Sequence, residues 1–215
     1  AGGVLQRTSD LGIPVVLIDR DIEGEEFGRV LVDNVDAGEM ATKYLIHQGF
    51  GKIEMISYKN GVTSLRDREN GYISAMDKAG LSDDVLVHKI DYDATAAKKQ
   101  VITVFREAAK RGCEAFIMPT KKLAMYGFNA MNILGLEMPG NFSFVCFDES
   151  DFYDLNKPVI PHVTQPCDEI AGKSVNLLME MISDKGKQTA RKNISLKANL
   201  VLGGPFGSEP TVATF

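Results

Sequence analysis

The sequence lacks an excess of positive charge, since its 24 lysines and arginines face 29 aspartates and glutamates, for a formal net charge of -5. A protein that binds nucleic acid through its own surface needs clustered basic side chains to contact the phosphates. The composition therefore argues against a nucleic-acid-binding surface on this chain. Any contact with DNA has to come from another part of the protein.

Long apolar runs are missing as well. No stretch approaches the roughly 18 residues of a membrane span. The first ten residues, AGGVLQRTSD, contain no charged segment followed by an apolar one, as a secretion signal would. These two absences predict a cytoplasmic protein with no membrane partner.

Cysteine and histidine are scarce, with three residues of each kind. The cysteines share no CxxC spacing, and no histidine has a second histidine or cysteine at ligand spacing, so neither a disulfide framework nor a metal site is predicted. The motifs GxSxG, GxxxxGK[ST] and GxGxxG after a strand are also absent. We therefore expect no catalytic centre and no cofactor, but a site that binds without reacting. The residues concerned are Cys113, Cys146, Cys167, His47, His88 and His162.

The sequence does contain a regular alternation of short apolar runs and amphipathic helical patterns. The runs mostly lack strict polar alternation, which is typical of strands buried on both faces of a sheet. The helical patterns between them end on glycine, the residue expected just after a helix. This alternation predicts an α/β fold of the doubly wound kind, with a parallel sheet covered by helices on both sides. The predicted strands cover residues 14–18, 53–56, 85–90, 115–118, 142–147 and 194–202, and the predicted helices cover residues 37–48, 68–79, 96–111, 123–134 and 168–183.

Polar residues follow each of the first five apolar runs. The carboxyl ends of parallel strands lie at one edge of a sheet, where the ligands of such folds bind. Each polar cluster alone is explained as a solvated loop or a helix cap, but their coincidence at one edge favours a binding site. We expect Arg68 to face the ligand, with its charge balanced by Asp148, and Arg66 to be solvated. The clusters are Asp19-Arg20, residues 64–68 from Ser64 onward, Asp91-Tyr92, Thr120-Lys121-Lys122 and Asp148-Glu149.

Five longer blocks stand in order between residue 13 and about residue 202. They are IPVVLIDR at 13–20, VDNVDAGEMATKYLIHQGF at 32–50, SLRDRENGYISAMDKAG at 64–80, MPGNFSFVCFDES at 138–150 and VTQPCDEIAGKSVNLLMEMI at 163–182. The second contains the pattern DN...G..A..YL, and the third contains S...R..GY..A....G. Together the blocks resemble the effector-binding domain of LacI-type transcriptional regulators, the family of the lactose and purine repressors.

The resemblance implies a two-lobed clamp, similar to periplasmic sugar-binding proteins, with a small-molecule effector bound between the lobes. It also implies a homodimer, and a helix-turn-helix head, absent from this chain, that binds the DNA operator. By position, Arg68 corresponds to the family's ligand-binding arginine, Asp148 to its cleft aspartate and Tyr92 to its stacking aromatic residue, while Ser64 and Asp19 take two further binding positions. An arginine suits neighbouring hydroxyls or a carboxylate, and an aromatic face suits a sugar ring. The implied effector is a sugar or a sugar derivative.

The chain departs from the family pattern after its fourth strand. Where the family usually has Asn-Asp, this chain has Thr120-Lys121-Lys122. A carboxylate that would accept sugar hydroxyls is therefore missing, and two cations stand in its place. Although Lys121 and Lys122 also suit a solvated helix start, they permit an anionic ligand, so we expect acidic sugars to bind better than neutral ones.

A second departure is where the chain begins. Residue 1 falls inside what resembles the last helix of the first lobe, so we expect a fragment of a longer protein. On this interpretation, residues 1–34 and 163–186 form the remnant of the N-terminal lobe, and residues 35–162 and 187–206 form the C-terminal lobe. Residues 207–215 are expected to form a loose tail.

Two other classes of function are considered beside an effector-binding regulator. The solute-binding component of a sugar ABC transporter shares the clamp, and the sequence upstream of residue 1 would distinguish it, since a signal peptide would indicate transport and a helix-turn-helix would indicate regulation. An enzyme on a doubly wound fold is disfavoured, because no nucleophile-base pair and no cofactor loop is visible.

Overall fold

A computed structural model describes residues 2–20, 22, 27–138, 140–155, 159–183, 192–202 and 211–213. The chain divides into two compact units, one formed by Ala1–Asp33 with Gln165–Lys197 and the other by Asn34–Thr164 with Ala198–Phe215. The helices are α1 (Gly2–Asp10), α2 (Asn34–His47), α3 (Thr63–Lys78), a short 3-10 helix (Ser82–Asp84), α4 (Ala94–Arg111), α5 (Lys121–Leu134), α6 (Asp151–Asp154) and α7 (Cys167–Ser183). The strands are β1 (Val16–Ile18), β2 (Gly28–Val32), β3 (Ile53–Tyr58), β4 (Leu86–Ile90), β5 (Ala115–Met118), β6 (Ser143–Phe147), β7 (His162–Thr164), β8 (Asn193–Leu196), β9 (Asn199–Leu202) and β10 (Thr211–Ala213). The predicted α/β class with parallel sheets is confirmed.

The first unit contains a three-stranded parallel sheet in the order β1-β2-β8. Helix α7 packs against β1 and β2 and buries Ile170, Leu177 and Met181. The pairing of β8 with β2 corrects two predictions. The single strand expected over residues 194–202 is two strands in different sheets, and residues 193–196 belong to the first unit rather than to the lobe assigned residues 187–206. The reason is that Leu196 pairs with Val32, whereas Asn199 pairs with Thr164.

The second unit contains a seven-stranded sheet in the order β10-β9-β7-β6-β5-β3-β4. Strands β3 to β7 are parallel to their neighbours among themselves, while β9 is antiparallel to both β7 and β10. The expectation of a loose tail over residues 207–215 is wrong at Thr211–Ala213, because these residues pair with Leu200–Leu202 in the sheet. Residues 207–210 and 214–215 lie outside the described part of the chain.

The core of the second unit lies on both faces of this sheet. On one face, side chains of α4 and α5 pack over alternate strand residues such as Ile56, Phe116 and Phe144. On the other face, where α2 and α3 contact β3 and β5, Met55 and Ile117 are equally buried. The central strands β3, β5 and β6 are therefore covered on both sides, and this packing fixes the positions of their carboxyl ends.

Each of the five predicted helices begins earlier than its apolar pattern predicted, and α2 and α3 begin three or more residues earlier. Helix α2 begins at Asn34 rather than at residue 37, and α3 begins at Thr63 rather than at residue 68. The extra turn of α3 places Ser64 and Arg66 inside the helix and moves Arg68 into its second turn. Arg68 therefore lies beyond the positive end of the helix dipole, which acts mainly over the first turn.

Candidate functional site

The predicted site residues of the second unit follow strands that end at one edge of its sheet. Strands β3, β4, β5 and β6 are parallel, so their carboxyl ends lie together. Ser64 follows β3, Tyr92 follows β4, Lys121 and Lys122 follow β5, and Asp148 follows β6. This edge is the candidate functional site.

Asp19 does not share this edge. It follows β1, which pairs with β2 in the three-stranded sheet of the first unit. The expectation that all five polar clusters end one sheet is therefore wrong for Asp19, because an apolar run does not reveal which sheet its strand will join. Its assignment to the ligand site stays a prediction based on the resemblance.

Arg68 lies at the centre of the edge but is buried, with only 4% of the residue exposed. Its Nε donates to Oδ1 of Asn34 at 2.8 Å, and its Nη1 donates to the backbone oxygen of Pro119 at 2.6 Å. Its guanidinium carbon lies 4.4 Å from the ring centroid of Phe147. Arg68 thus joins α3 to the start of α2 and to the ends of β5 and β6. Arg66 is exposed, as expected.

Two glycines allow α2 and α3 to approach closely beside Arg68. A Cβ on Gly38 would lie 2.2 Å from the backbone oxygen of Arg68, and a Cβ on Gly71 would lie 2.1 Å from the backbone oxygen of Val35. Both distances are far below van der Waals contact, so only glycine fits at either position. The glycines of the blocks DN...G and R..GY therefore have a direct structural role, since they bring Asn34 within hydrogen-bonding distance of Arg68.

Both aspartates assigned to the site adopt an uncommon backbone conformation. Asp148 has φ of 66° and Asp19 has φ of 52°. The backbone nitrogen of Asp148 donates to the oxygen of Val163 at 2.9 Å, and that of Asp19 donates to the oxygen of Val30 at 3.2 Å. Residues other than glycine rarely adopt positive φ, and such backbone strain is concentrated at functional sites. In both cases the chain turns sharply just where its strand ends.

Tyr92 is well exposed, with 70% of the residue accessible to solvent. Its ring lies 4.6 Å from that of Tyr58, the last residue of β3. The Nζ of Lys122 lies 5.9 Å from the ring centroid of Tyr92, within range of a cation–π interaction. Tyr92 therefore presents an exposed aromatic ring at the edge, and its role in stacking on a ligand ring stays a prediction.

Lys121 and Lys122 form the first turn of α5 and are exposed. The preceding residue, Thr120, caps the helix by accepting a hydrogen bond from the nitrogen of Leu123 at 3.2 Å. The placement agrees with a solvated helix start. The same placement puts two cations and the positive end of the α5 dipole at the edge where ligands of such folds bind.

Asp91, which directly precedes Tyr92 at the edge, already forms an ion pair and a hydrogen bond within the protein. Asp91, directly after β4, accepts a hydrogen bond from Nζ of Lys59 at 2.8 Å and a second from the side chain of Gln100 at 2.5 Å. These hydrogen bonds, that of Lys59 foremost, lower the pKa of Asp91. Asp91 is therefore held ionised beside its own cation.

The histidines that form described hydrogen bonds have structural roles, as expected. His88 lies 2.5 Å from a carboxylate oxygen of Glu54, and the Glu54 carboxylate also accepts three hydrogen bonds from Arg111. His162 lies 3.0 Å from the backbone oxygen of Ile160. Within the described ranges, no group of three or more histidine, cysteine, aspartate or glutamate side chains could hold a metal ion. No described helix is both long and apolar enough to cross a membrane.

Sequence reasoning missed the groups that surround Arg68 and Tyr92. Asn34 is part of the DN...G block, but it was not assigned to the site. Pro119 contributes only a backbone oxygen, which has no sequence signature. Phe147 was interpreted as an ordinary strand residue, and Tyr58 fell outside the predicted strand 53–56, although each is the last residue of its strand and therefore lies at the edge.

Comparisons with known proteins agree with this architecture. Residues 42–204 match the periplasmic binding protein-like domain family. The HTH-type transcriptional regulator DegA of Bacillus subtilis is 25% identical over 199 residues, which are 92% of this chain and 58% of that protein. The chain thus spans a little over half the length of this relative.

A LacI family transcriptional regulator from Enterococcus faecium, solved with bound ribose, has a TM-score of 0.79 at 19% identity over 93% of this chain and 73% of its own. The transcriptional regulator CelR in complex with cellobiose has a TM-score of 0.80 at 21% identity, over 94% of this chain and 62% of its own.

The fold and the edge residues define an α/β protein built on parallel sheets, with its candidate ligand site at the carboxyl ends of the strands. The chain belongs to the periplasmic binding protein-like domain family. Its resemblance to the effector-binding domains of LacI-type regulators is confirmed by relatives named as HTH-type regulators. The solved structures, at 19% and 21% identity, show a shared fold.

Proposed function

We propose that this chain is the effector-binding portion of a LacI-type transcriptional regulator. A sugar or sugar derivative binds at the candidate site and changes the affinity of the whole protein for its DNA operator. DNA is bound by a helix-turn-helix head outside this chain, since the chain itself carries a net charge of -5. The protein acts in the cytoplasm, and it is neither an enzyme nor the solute-binding component of a transporter.

The observation that carries the proposal is the convergence of Ser64, Arg68, Tyr92 and Asp148 on one edge of a parallel sheet, in a chain whose relatives are named as regulators. Hydrogen-bonding groups and an open aromatic face suit a ring that bears hydroxyls. Asp19 is proposed as a further ligand contact on the basis of the resemblance. Ribose and cellobiose in two solved neighbours support a sugar as the class of effector.

The proposal is tested by measuring how tightly the full-length gene product binds the DNA upstream of its own gene. We expect at least one sugar of a panel to change the dissociation constant, measured by fluorescence anisotropy. The variant Asp148→Asn should lose most of this response, because a cleft carboxylate accepts hydroxyl protons that an amide accepts less well. Asparagine also tolerates positive φ, so the fold should persist.

Asp151→Asn is the matched control, since Asp151 is exposed at the start of α6 only three residues later. It should respond to the sugar as the wild type does. DNA binding that no sugar changes, or an equal loss of response in both variants, would contradict the proposal. Sugar binding by an exported protein without DNA binding would instead indicate the transporter component.

The proposal includes a homodimer, because the resemblance implies that such regulators act as dimers. A protein with two-fold symmetry binds two DNA half-sites, which raises its affinity for a palindromic operator. Sedimentation of the full-length protein, in the same buffer as the anisotropy measurements, checks this part of the proposal.

A further inference from the structure

Three tyrosines lie together at the candidate site, and we call Tyr58, Tyr92 and Tyr126 the tyrosine cluster. The rings of Tyr58 and Tyr92 are 4.6 Å apart. The Nζ of Lys122 lies 5.9 Å from the ring centroid of Tyr92 and 6.0 Å from that of Tyr126, and the Nζ of Lys98 lies 5.9 Å from the latter. Two ammonium groups therefore stand over aromatic faces at the end of the sheet.

The hydroxyl of Tyr58 has no hydrogen-bond partner within the described part of the chain, although it is buried and only 3% of the residue is exposed. A buried hydroxyl without a partner is destabilising, which makes this group unusual. Burial raises the pKa of Tyr58 to about 12, with smaller contributions from Tyr126 and Tyr92. The phenol is therefore a neutral hydrogen-bond donor at any physiological pH.

Three lysines near the tyrosine cluster have no acidic partner among the described residues. Within the described ranges, Lys98, Lys121 and Lys122 form no ion pair, whereas Lys59 pairs with Asp91 and Lys89 pairs with Glu69. The nearby Asp93 is occupied as well, because it caps α4 by accepting hydrogen bonds from the nitrogens of Thr95 and Ala96 at 3.1 and 2.9 Å. The side of the site around the start of α5 therefore carries an excess of positive charge.

We propose that the effector carries an anionic group, a carboxylate or a phosphate, which binds between Lys121, Lys122 and the hydroxyl of Tyr58. This inference rests on the proposed function and specifies the chemical class of its effector. The start of α5 adds the positive end of a 14-residue helix and its free backbone N–H groups. The ring packed beside Tyr58 belongs to Tyr92, which is 70% exposed, so access to the Tyr58 hydroxyl would require a surface side chain to move rather than the core.

The inference is tested by calorimetric titration of the full-length gene product with three groups of ligands. These are the sugar acids glucuronate and galacturonate, the phosphates of glucose and ribose, and the neutral sugars glucose, ribose and cellobiose. We expect one of the two anionic groups to bind more tightly than its neutral counterpart, and its affinity to fall as salt is added. The group that binds identifies the anion as carboxylate or phosphate.

Two conservative variants test the assigned contacts. Lys122→Met keeps the apolar stem and should weaken anion binding about tenfold or more, as expected for the loss of a charge-assisted hydrogen bond. Tyr58→Phe should weaken binding several-fold, while its melting temperature stays equal to that of the wild type or rises. Lys99→Met is the control, because Lys99 is exposed on α4 and does not contact the tyrosine cluster. It should bind as the wild type does.

Binding of a neutral sugar but of no acidic sugar or sugar phosphate overturns this inference and leaves the proposed function intact. Anion binding that neither Lys122→Met nor Tyr58→Phe weakens also overturns it. If none of the three ligand groups binds and none changes DNA affinity, both the inference and the sugar effector of the proposed function are contradicted.

Discussion

Replacement of Gly71 by alanine tests whether α2 and α3 meet as closely as the structure shows. A Cβ at this position would lie 2.1 Å from the backbone oxygen of Val35 and 2.7 Å from the backbone nitrogen of Glu39. Both atoms belong to the backbone of α2, so no side-chain rotation can relieve the overlap. The two helices would have to separate by about 1 Å, and this would stretch the hydrogen bond between Arg68 of α3 and Asn34 of α2.

The size of the effect follows from two opposing contributions to the free energy of unfolding. Alanine is favoured over glycine inside a helix by about 1 kcal/mol. Overpacking of a close contact costs about 1–3 kcal/mol, and a clash with backbone lies at the upper end of that range. We therefore expect Gly71→Ala to lower the free energy of unfolding by about 2 kcal/mol. With a urea dependence of about 2 kcal/mol per molar, the midpoint should fall by about 1 M.

The assay is urea unfolding followed by circular dichroism, with Gly172→Ala as the matched control. Gly172 also lies inside a helix, α7, but a Cβ there would meet no atom within 4 Å. The control should therefore show only the helix contribution and gain about 1 kcal/mol. If Gly71→Ala is as stable as Gly172→Ala, the close crossing of α2 and α3 is refuted, and with it the explanation of how Asn34 reaches Arg68.

Two further predictions concern buried and paired charges. Arg68→Met should lower the free energy of unfolding by about 2–4 kcal/mol in urea titrations, because it leaves two buried oxygens without their donor, whereas Arg66→Met at an exposed position should change it by less than about 0.5 kcal/mol. Equal effects of the two variants would refute the burial of Arg68. Hydrogen bonds from Lys43 and Lys78 lower the pKa of Glu39 from 4.5 to about 2, so its stabilising contribution is complete above pH 4.5 and is lost as the pH falls toward 2. Urea midpoints measured from about pH 5 to about pH 3 should therefore fall more steeply in the wild type than in Glu39→Gln, and parallel curves would contradict this.

The sequence predicts the central strands well, because their burial on both faces leaves continuous apolar runs. Strand β5 matches its predicted bounds, and β3 and β6 differ by two residues or fewer. Strand β2 was not predicted, since it alternates buried and half-buried residues and includes Arg29. Strand β7 was missed because it has only three residues and lies between prolines. Short strands owe their structure to their neighbours rather than to their own pattern.

The sequence predicted where most of the candidate site residues lie along the sheet edge. It did not predict which groups surround them. The rule that ligands bind at strand ends located the edge and most of its side chains. It could not show that Arg68 is buried, since one of its partners, Asn34, lies 34 residues away and the other is a backbone oxygen. These buried contacts mean that removal of Arg68 should affect the stability of the fold as well as the ligand site. The sequence also could not show which sheet Asp19 adjoins, because this depends on the pairing of β1 with β2.

The contacts of Arg68 indicate that it also acts as a positioning residue for the site. Its guanidinium holds Pro119, two residues before Lys121, and packs on Phe147, which directly precedes Asp148. The loops after β5 and β6 are thus fixed relative to each other by one buried side chain. A ligand that draws Lys121 and Asp148 together must move groups that Arg68 holds. Loss of Arg68 should therefore weaken the binding of every ligand of the site, whereas loss of Lys122 should weaken only the binding of anions.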